Sequence, residues 1–332
     1  MGKKQDEQLA AMQQAADSKV PKIKAAFIAA VVEIRETLAE AKKIEAALAV
    51  GAFDDAVLAT RIAEMDSLLF GIGLGNNAFV FSNQLTETFN LGATTGIKQL
   101  PEVMQQAIGF DTLNNRAINA IKQNTGKVIQ ELTGSSKQAV SNLIQRLLSE
   151  NIPPAKMGRE IRQLIGLTDS QMKAVTNFRL QLETRSILGL TPPEDRRLNA
   201  IEAAQVRRHM NQGTMQQDKI DEMVEKYYQR LLNKRALDIA RTESMHSINQ
   251  GQQEAWMQGL DQGVLDINKD RKFWLTAGDE KVRTTHRAIP AMNPGGVPIT
   301  SPFATPFGFV MSPGDYNVGL INCRCSAILI ST

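Results

Sequence analysis

Apolar side chains recur three and four positions apart over most of this chain, and only near its end do short extended pieces replace that spacing. Val20, Ile23, Phe27, Val31, Ile34 and Leu38 line one face of a helix predicted over residues 5–49, with Lys, Arg and Glu on the other face. Such a helix needs a partner to cover its apolar stripe. A second helix is predicted over 54–69, and Val140, Leu143, Ile144, Leu147 and Leu148 form a further stripe. Residues 154–166 read as a short helix with Pro154 in its first turn and Gly166 closing it. Thr168 and Gln171 then stand at capping-box spacing before Met172, Val175, Phe178 and Leu182, which makes 154–188 a predicted helical hairpin. After a Pro-bearing break, TPPEDRR at 191–197, the period resumes with Ile220, Met223, Val224, Tyr227 and Leu231. A further helix is predicted over 232–260.

Two stretches depart from this texture. Between Asp66 and Lys98 the only charged residue is Glu87, and Gly, Asn and Thr are frequent. Its glycines allow close backbone approach, but Gly71, Gly73 and Gly75 are followed by Asn76 and make no dinucleotide fingerprint. We read 67–97 as a connection buried in the core or within an assembly, with a membrane-active segment as the alternative. After Gly263, KFWLTA predicts a short strand, residues 293–315 hold five prolines and predict a long loop with scattered extended pieces, and NCRCSAILI predicts a closing strand.

The expected fold class is therefore mainly α: an elongated helical N-terminal and central region with a small α+β C-terminal module. The expected divisions are 1–110, an assembly region containing 67–97; 111–198, a central helical region; and 199–332, the C-terminal module. Composition agrees, because aromatic residues make up only 5% while Met, Ala and Gln are plentiful. The net charge of +3 is too small to name a nucleic-acid partner. Residues 116–241 carry 21 Lys and Arg against 13 Asp and Glu, so solvated helix faces are the plain reading and phosphate contact the lesser one. The N-terminal residues lack a signal-type apolar run, and two cysteines make no disulfide framework, so synthesis in a reducing cytoplasm is expected. The longest apolar stretch, 67–81, is too short and too interrupted to span a membrane stably.

Both cysteines fall in INCRC at 321–325. Upstream stand ALDIARTESMHSINQ, Trp274, GDEKVRTTHR, Pro313 and Asp315. The order and spacing of these elements resemble the phage Mu F-like head morphogenesis family, the minor head proteins of tailed phages. That family shows an ARTE helix with a downstream Asn, then a Trp, a D-x-x-V/T-R-x-x-H element, a Pro- and Gly-rich loop and a terminal N-C-R-C. The matching positions are Ala240 to Glu243, Asn249, Trp274, Asp279, Val282, Arg283, His286 and Asn322 to Cys325. The resemblance covers roughly residues 150–330, including the weaker hairpin GLTDSQMKAV. It departs at RAIPAMNPGG, where the family often has a leucine and glycine soon after the His. Some relatives carry an appended toxin domain after the N-C-R-C motif, and INCRC so near the chain end weakens that expectation here.

In a strand, Cys323 and Cys325 would point to one face and turn both thiols toward one centre. With His286 they supply three metal donors, and Asp279 is either a fourth or the group that orients the imidazole, a set suited to structural zinc. The plain reading is two small buried thiols beside a hydrogen-bonded histidine. Arg241, Glu243 and Arg283 read as a salt-bridge network holding the helix against the sheet, and His209 and His246 as lone helical histidines. The resemblance implies a non-enzymatic virion protein inside the capsid near the portal. It would act in head assembly and in DNA packaging or ejection, with the portal, the major capsid protein, other copies of itself and packaged double-stranded DNA as partners. Two other classes stay open: a nucleotide-processing enzyme or toxin using Arg241, Glu243, His286 and Cys323, and an ejected protein that perforates the host envelope through 67–97.

Overall fold

The computed structural model describes residues 3–40, 76–123, 127, 134, 163–188, 200–210, 215–315 and 321–331. The helix expected at 54–69, the stripe at 140–148 and the TPPEDRR break lie outside the described residues. Helices α1 (Lys3–Glu40), α2 (Asn76–Lys98), α3 (Glu102–Ala107), α4 (Asp169–Leu188), α5 (Ala200–Met210) and α6 (Gln217–Asp261) come first. They are followed by β1 (Asp270–Leu275), α7 (Thr284–Met292), β2 (Val297–Pro298), β3 (Phe303–Thr305), β4 (Gly308–Val310) and β5 (Ser326–Ser331). The protein is thus mainly helical with a small antiparallel sheet region near its C-terminal end, as the spacing of apolar residues predicts. Where two helices were expected over 220–260, α6 is a single helix of 45 residues. No proline interrupts it, and its apolar positions continue through Leu231 and Leu232 without a break.

The compact units do not follow chain order. One comprises Met1–Phe27, Asn76–Val128 and Ala236–Thr332, the other Ile28–Gly75 and Ile129–Arg235. In the second unit the predicted capping box is formed: the Gln171 amide donates to Thr168 Oγ1 at 3.4 Å, and the Thr168 amide to Gln171 Oε1 at 3.0 Å. Gly166 turns the chain just before it at φ +80°, and a side chain there would strike Val31 at 2.7 Å. Phe178 and Tyr227 stack at 4.7 Å in the core, where buried Arg179 is held by Asp221 at 2.6 Å and Gln163 at 2.8 Å.

In the first unit, β1 is the centre of a three-stranded sheet in the order β2-β1-β5, and β3 and β4 form a separate hairpin. β5 pairs with β1 along its whole length, from Asp270 opposite Ser331 to Leu275 opposite Ser326. The main core gathers Trp256, Trp274, Ile289, Ile299, Phe303 and Leu329, joined by Leu100 and Ile108 from far upstream. Leu9 packs with Leu275 and Ile328, and Met12 and Ala16 pack with Met245 and Ile248. Much of what 199–332 buries is therefore covered by residues outside it, because a sheet this small has no second layer of its own.

Residues 76–97 of the uncharged segment are helical rather than a connection. Phe81, Leu85, Thr88, Phe89 and Ala93 are buried along one face of α2. Its Gly92 lies against the backbone of Ile248, while Gly251 of α6 lies against the backbone of Phe89. This close helix crossing leaves no room for side chains between the two backbones, which is why glycine stands at both contact points.

Candidate metal centre

The five residues INCRC are not strand. Asn322 adopts φ 58°, a left-handed conformation that asparagine tolerates better than most residues, and β5 begins only at Ser326. A turn, not strand alternation, brings the two thiols together. The Cys325 amide donates to Cys323 Sγ at 3.4 Å. His286 arrives from the first turn of α7, and its Nδ1 lies 3.5 Å from Cys323 Sγ and 3.6 Å from Cys325 Sγ. All three side chains are buried, and their donor atoms lie within 4.8 Å of one another.

These separations fit a metal. A tetrahedral zinc with Zn–S near 2.3 Å and Zn–N near 2.0–2.1 Å places a sulfur and a nitrogen about 3.6 Å apart. The donor set, one imidazole and two thiols, is of the type zinc prefers. Cys323 is held down to about 5, first by the hydrogen bond from the Cys325 thiol and then by His286, against the opposing effect of burial. Cys325 is pushed up by the same sulfur partner and by burial. The lowering at Cys323 favours its thiolate, the form that binds metal.

Asp279 does not join the group. Its two oxygens each accept a hydrogen bond at 2.8 Å from the Arg324 guanidinium, which holds the carboxyl below its usual range. It braces the residue between the two cysteines instead of facing a metal. Among the described residues no fourth His, Cys, Asp or Glu atom completes the cluster.

The other singled-out positions surround the same turn. Asn249 donates to the Cys325 carbonyl at 3.0 Å and accepts from Ser326 Oγ at 2.7 Å, fixing the entry to β5. The Asn322 amide donates to Thr242 Oγ1 at 3.1 Å, and its side chain donates to Asp238 at 2.9 Å. Arg283 donates to the Ile321 carbonyl at 2.5 Å. Trp274 is buried edge-on to Phe303, with ring centroids 5.3 Å apart, in the core that also contains both cysteines. Glu243 is buried, but Arg241 is exposed and makes no ion pair among the described residues, so the expected three-residue salt-bridge network is not closed.

Sequence reading missed two features here. Thr242, inside the ARTE run, is a docking point for the cysteine turn, and its place within that run was the available signal. Lys272 in β1 is wholly buried, donating to Gln253 Oε1 at 2.9 Å and the Met311 carbonyl at 2.7 Å beside the Phe303 ring; burial lowers it to about 7. Nothing in KFWL marks that lysine as internal.

His246 is a core residue, and its Nδ1 donates to the Gly314 carbonyl. Burial lowers it to about 4, with a smaller lowering from Lys127 and an opposing effect from Gly314. The unfolded chain takes up this proton near 6.5 and the folded chain only near 4, so the unfolded state binds more protons between those values. Stability therefore falls as pH drops through that window, by roughly 3 kcal/mol in total for this group. Denaturation midpoints measured from pH 7 to pH 4 should show the decline, and His246→Asn should flatten it.

No protein-family model matches the chain, and no curated protein or solved structure matches it either.

Proposed function

We propose that this chain is a structural minor head protein of a tailed phage, with zinc stapling its C-terminal region. What supports the reading is the way its motif residues meet. Ala240 to Glu243, Asn249, Asp279, Arg283, His286 and Asn322 to Cys325 are spread over more than eighty positions, yet hydrogen bonds tie Thr242 and Asn249 to the cysteine turn, Arg283 to its first carbonyl and Asp279 to its arginine. An ordered set of residues that builds one local structure is a folding motif, and that is the role the resemblance implies for it.

The protein would act inside the capsid near the portal, in head assembly and in DNA packaging or ejection, after synthesis in the host cytoplasm. No enzymatic step is assigned to it. Among the described residues no helix is long and apolar enough to cross a membrane. In this reading the helices supply the contacts to the portal, to capsid subunits or to further copies of the chain, and the zinc group keeps the C-terminal sheet closed.

The genes flanking this one give the first test, a portal gene beside it being the expected result, and co-expression with that portal protein gives the second. The expected result is a complex that survives gel filtration, and incorporation into assembled heads. A chain that stays apart from both portal and heads overturns it.

A further inference from the structure

His286, Cys323 and Cys325 line a cleft of about 540 Å³, and the side chains around them are strongly cationic. Arg241, Lys281, Arg283 and Arg324 line it, with Asp17 the one acidic side chain among the described lining residues. Their charges are not equally available. Arg324 is engaged at both ends of its guanidinium by Asp279, and Arg283 gives one nitrogen to the Ile321 carbonyl. Arg241 is exposed with no ion pair among the described residues. Lys281 feels Asp279 through space, but both oxygens of that carboxylate already hold Arg324. Two cations and the remaining edge of a third thus face one concavity with a single acid to offset them. Like charges gathered in this way repel, and an anion seated among them relieves the repulsion.

At the same place the metal ligands stop at three. Structural zinc is almost always closed by four protein ligands, whereas a three-ligand site leaves a position for water or an incoming oxygen. The ligands border the cleft, so that position is reached from the cationic side.

Resting on the metal reading above, we infer that the cleft binds a phosphate group, one oxygen completing the metal's coordination and the others held by Arg241, Lys281 and Arg283. Phosphate fits better than carboxylate because it has enough oxygens to engage a metal and several cations at once, and guanidinium groups match its geometry. The cleft is of the size that takes a small organic ligand rather than a bare ion, so the phosphate belongs to a larger molecule such as a nucleotide or a nucleic-acid strand end.

Isothermal titration of the zinc-loaded full-length protein tests this, using inorganic phosphate, a nucleoside 5′-monophosphate and a short DNA duplex as separate probes. Metal content is measured on every sample. The Arg241→Ala/Lys281→Ala variant changes two exposed side chains, so it should keep its fold and its zinc while binding phosphate at least about tenfold more weakly. Preference for the monophosphate identifies a nucleotide as the source, and preference for the duplex identifies nucleic acid. Zinc present with phosphate binding absent, or unaffected by the double variant, overturns the phosphate site and leaves the metal standing. Phosphate binding that depends on Arg241 and Lys281 in a protein free of metal overturns the metal and the coordinated oxygen, and leaves the cationic site.

Discussion

Gly251→Ala will destabilise the first unit by about 3 kcal/mol or more, the upper end of what overpacking costs. A Cβ at this position would stand 1.9 Å from the Phe89 carbonyl oxygen and 3.0 Å from the Ala93 nitrogen, both backbone atoms of α2. Backbone inside a helix cannot swing aside as a side-chain end can, so the two helices must separate. On the other side of the crossing, a Cβ on Gly92 would stand 2.2 Å from the Ile248 carbonyl oxygen, which makes the contact reciprocal. The better helix propensity of alanine, worth about 1 kcal/mol, is too small to offset this. Gly109→Ala is the control, since nothing lies within 4 Å of its added methyl group. Urea midpoints should fall sharply for Gly251→Ala and hardly move for Gly109→Ala. Equal midpoints would mean that the two helices do not cross this closely.

The second large effect concerns the metal. Wild-type protein should carry stoichiometric zinc by mass spectrometry, and a chelator should lower its melting temperature. Binding to the folded state alone stabilises by about 4 kcal/mol when free metal exceeds its dissociation constant a thousandfold. Cys323→Ser replaces a sulfur 3.5 Å from His286 Nδ1 with a poorer ligand, and should lose the metal. The variant should melt where the chelated wild type melts, and chelator should leave it unchanged. That insensitivity separates a lost ligand from a merely disturbed core. If wild-type protein holds no stoichiometric metal and ignores the chelator, the thiols and the imidazole are only a buried hydrogen-bonded group.

Several elements were legible in advance because they depend on near neighbours. The stripe Ile23, Phe27, Val31 and Ile34 is buried as its spacing predicts, the Thr168–Gln171 capping box is made, and KFWL lies in a strand. The donors of the metal group were also legible, since only two cysteines exist and both sit in one short motif. Asp279 was not: its spacing from His286 suited a ligand, but a carboxylate beside an arginine forms a bidentate pair when the fold brings one within reach. Arg324 does so, and that could not be read from either residue's neighbours.

By itself, then, the sequence determined that α1, α4 and α6 are helical, which of their faces are apolar and which atoms are fit to bind a soft metal, all of them properties of a few consecutive residues. Tertiary structure alone decided that α2 and α6 cross backbone to backbone at glycines, that Leu9, Leu100 and Ile108 help to cover the C-terminal sheet, and that four cations surround the cysteine turn. The physical reason is range. Periodicity records that a face must be buried, but the partner that buries it, and the charges gathered beside it, come from segments tens to hundreds of positions away whose meeting is settled only when the whole core packs.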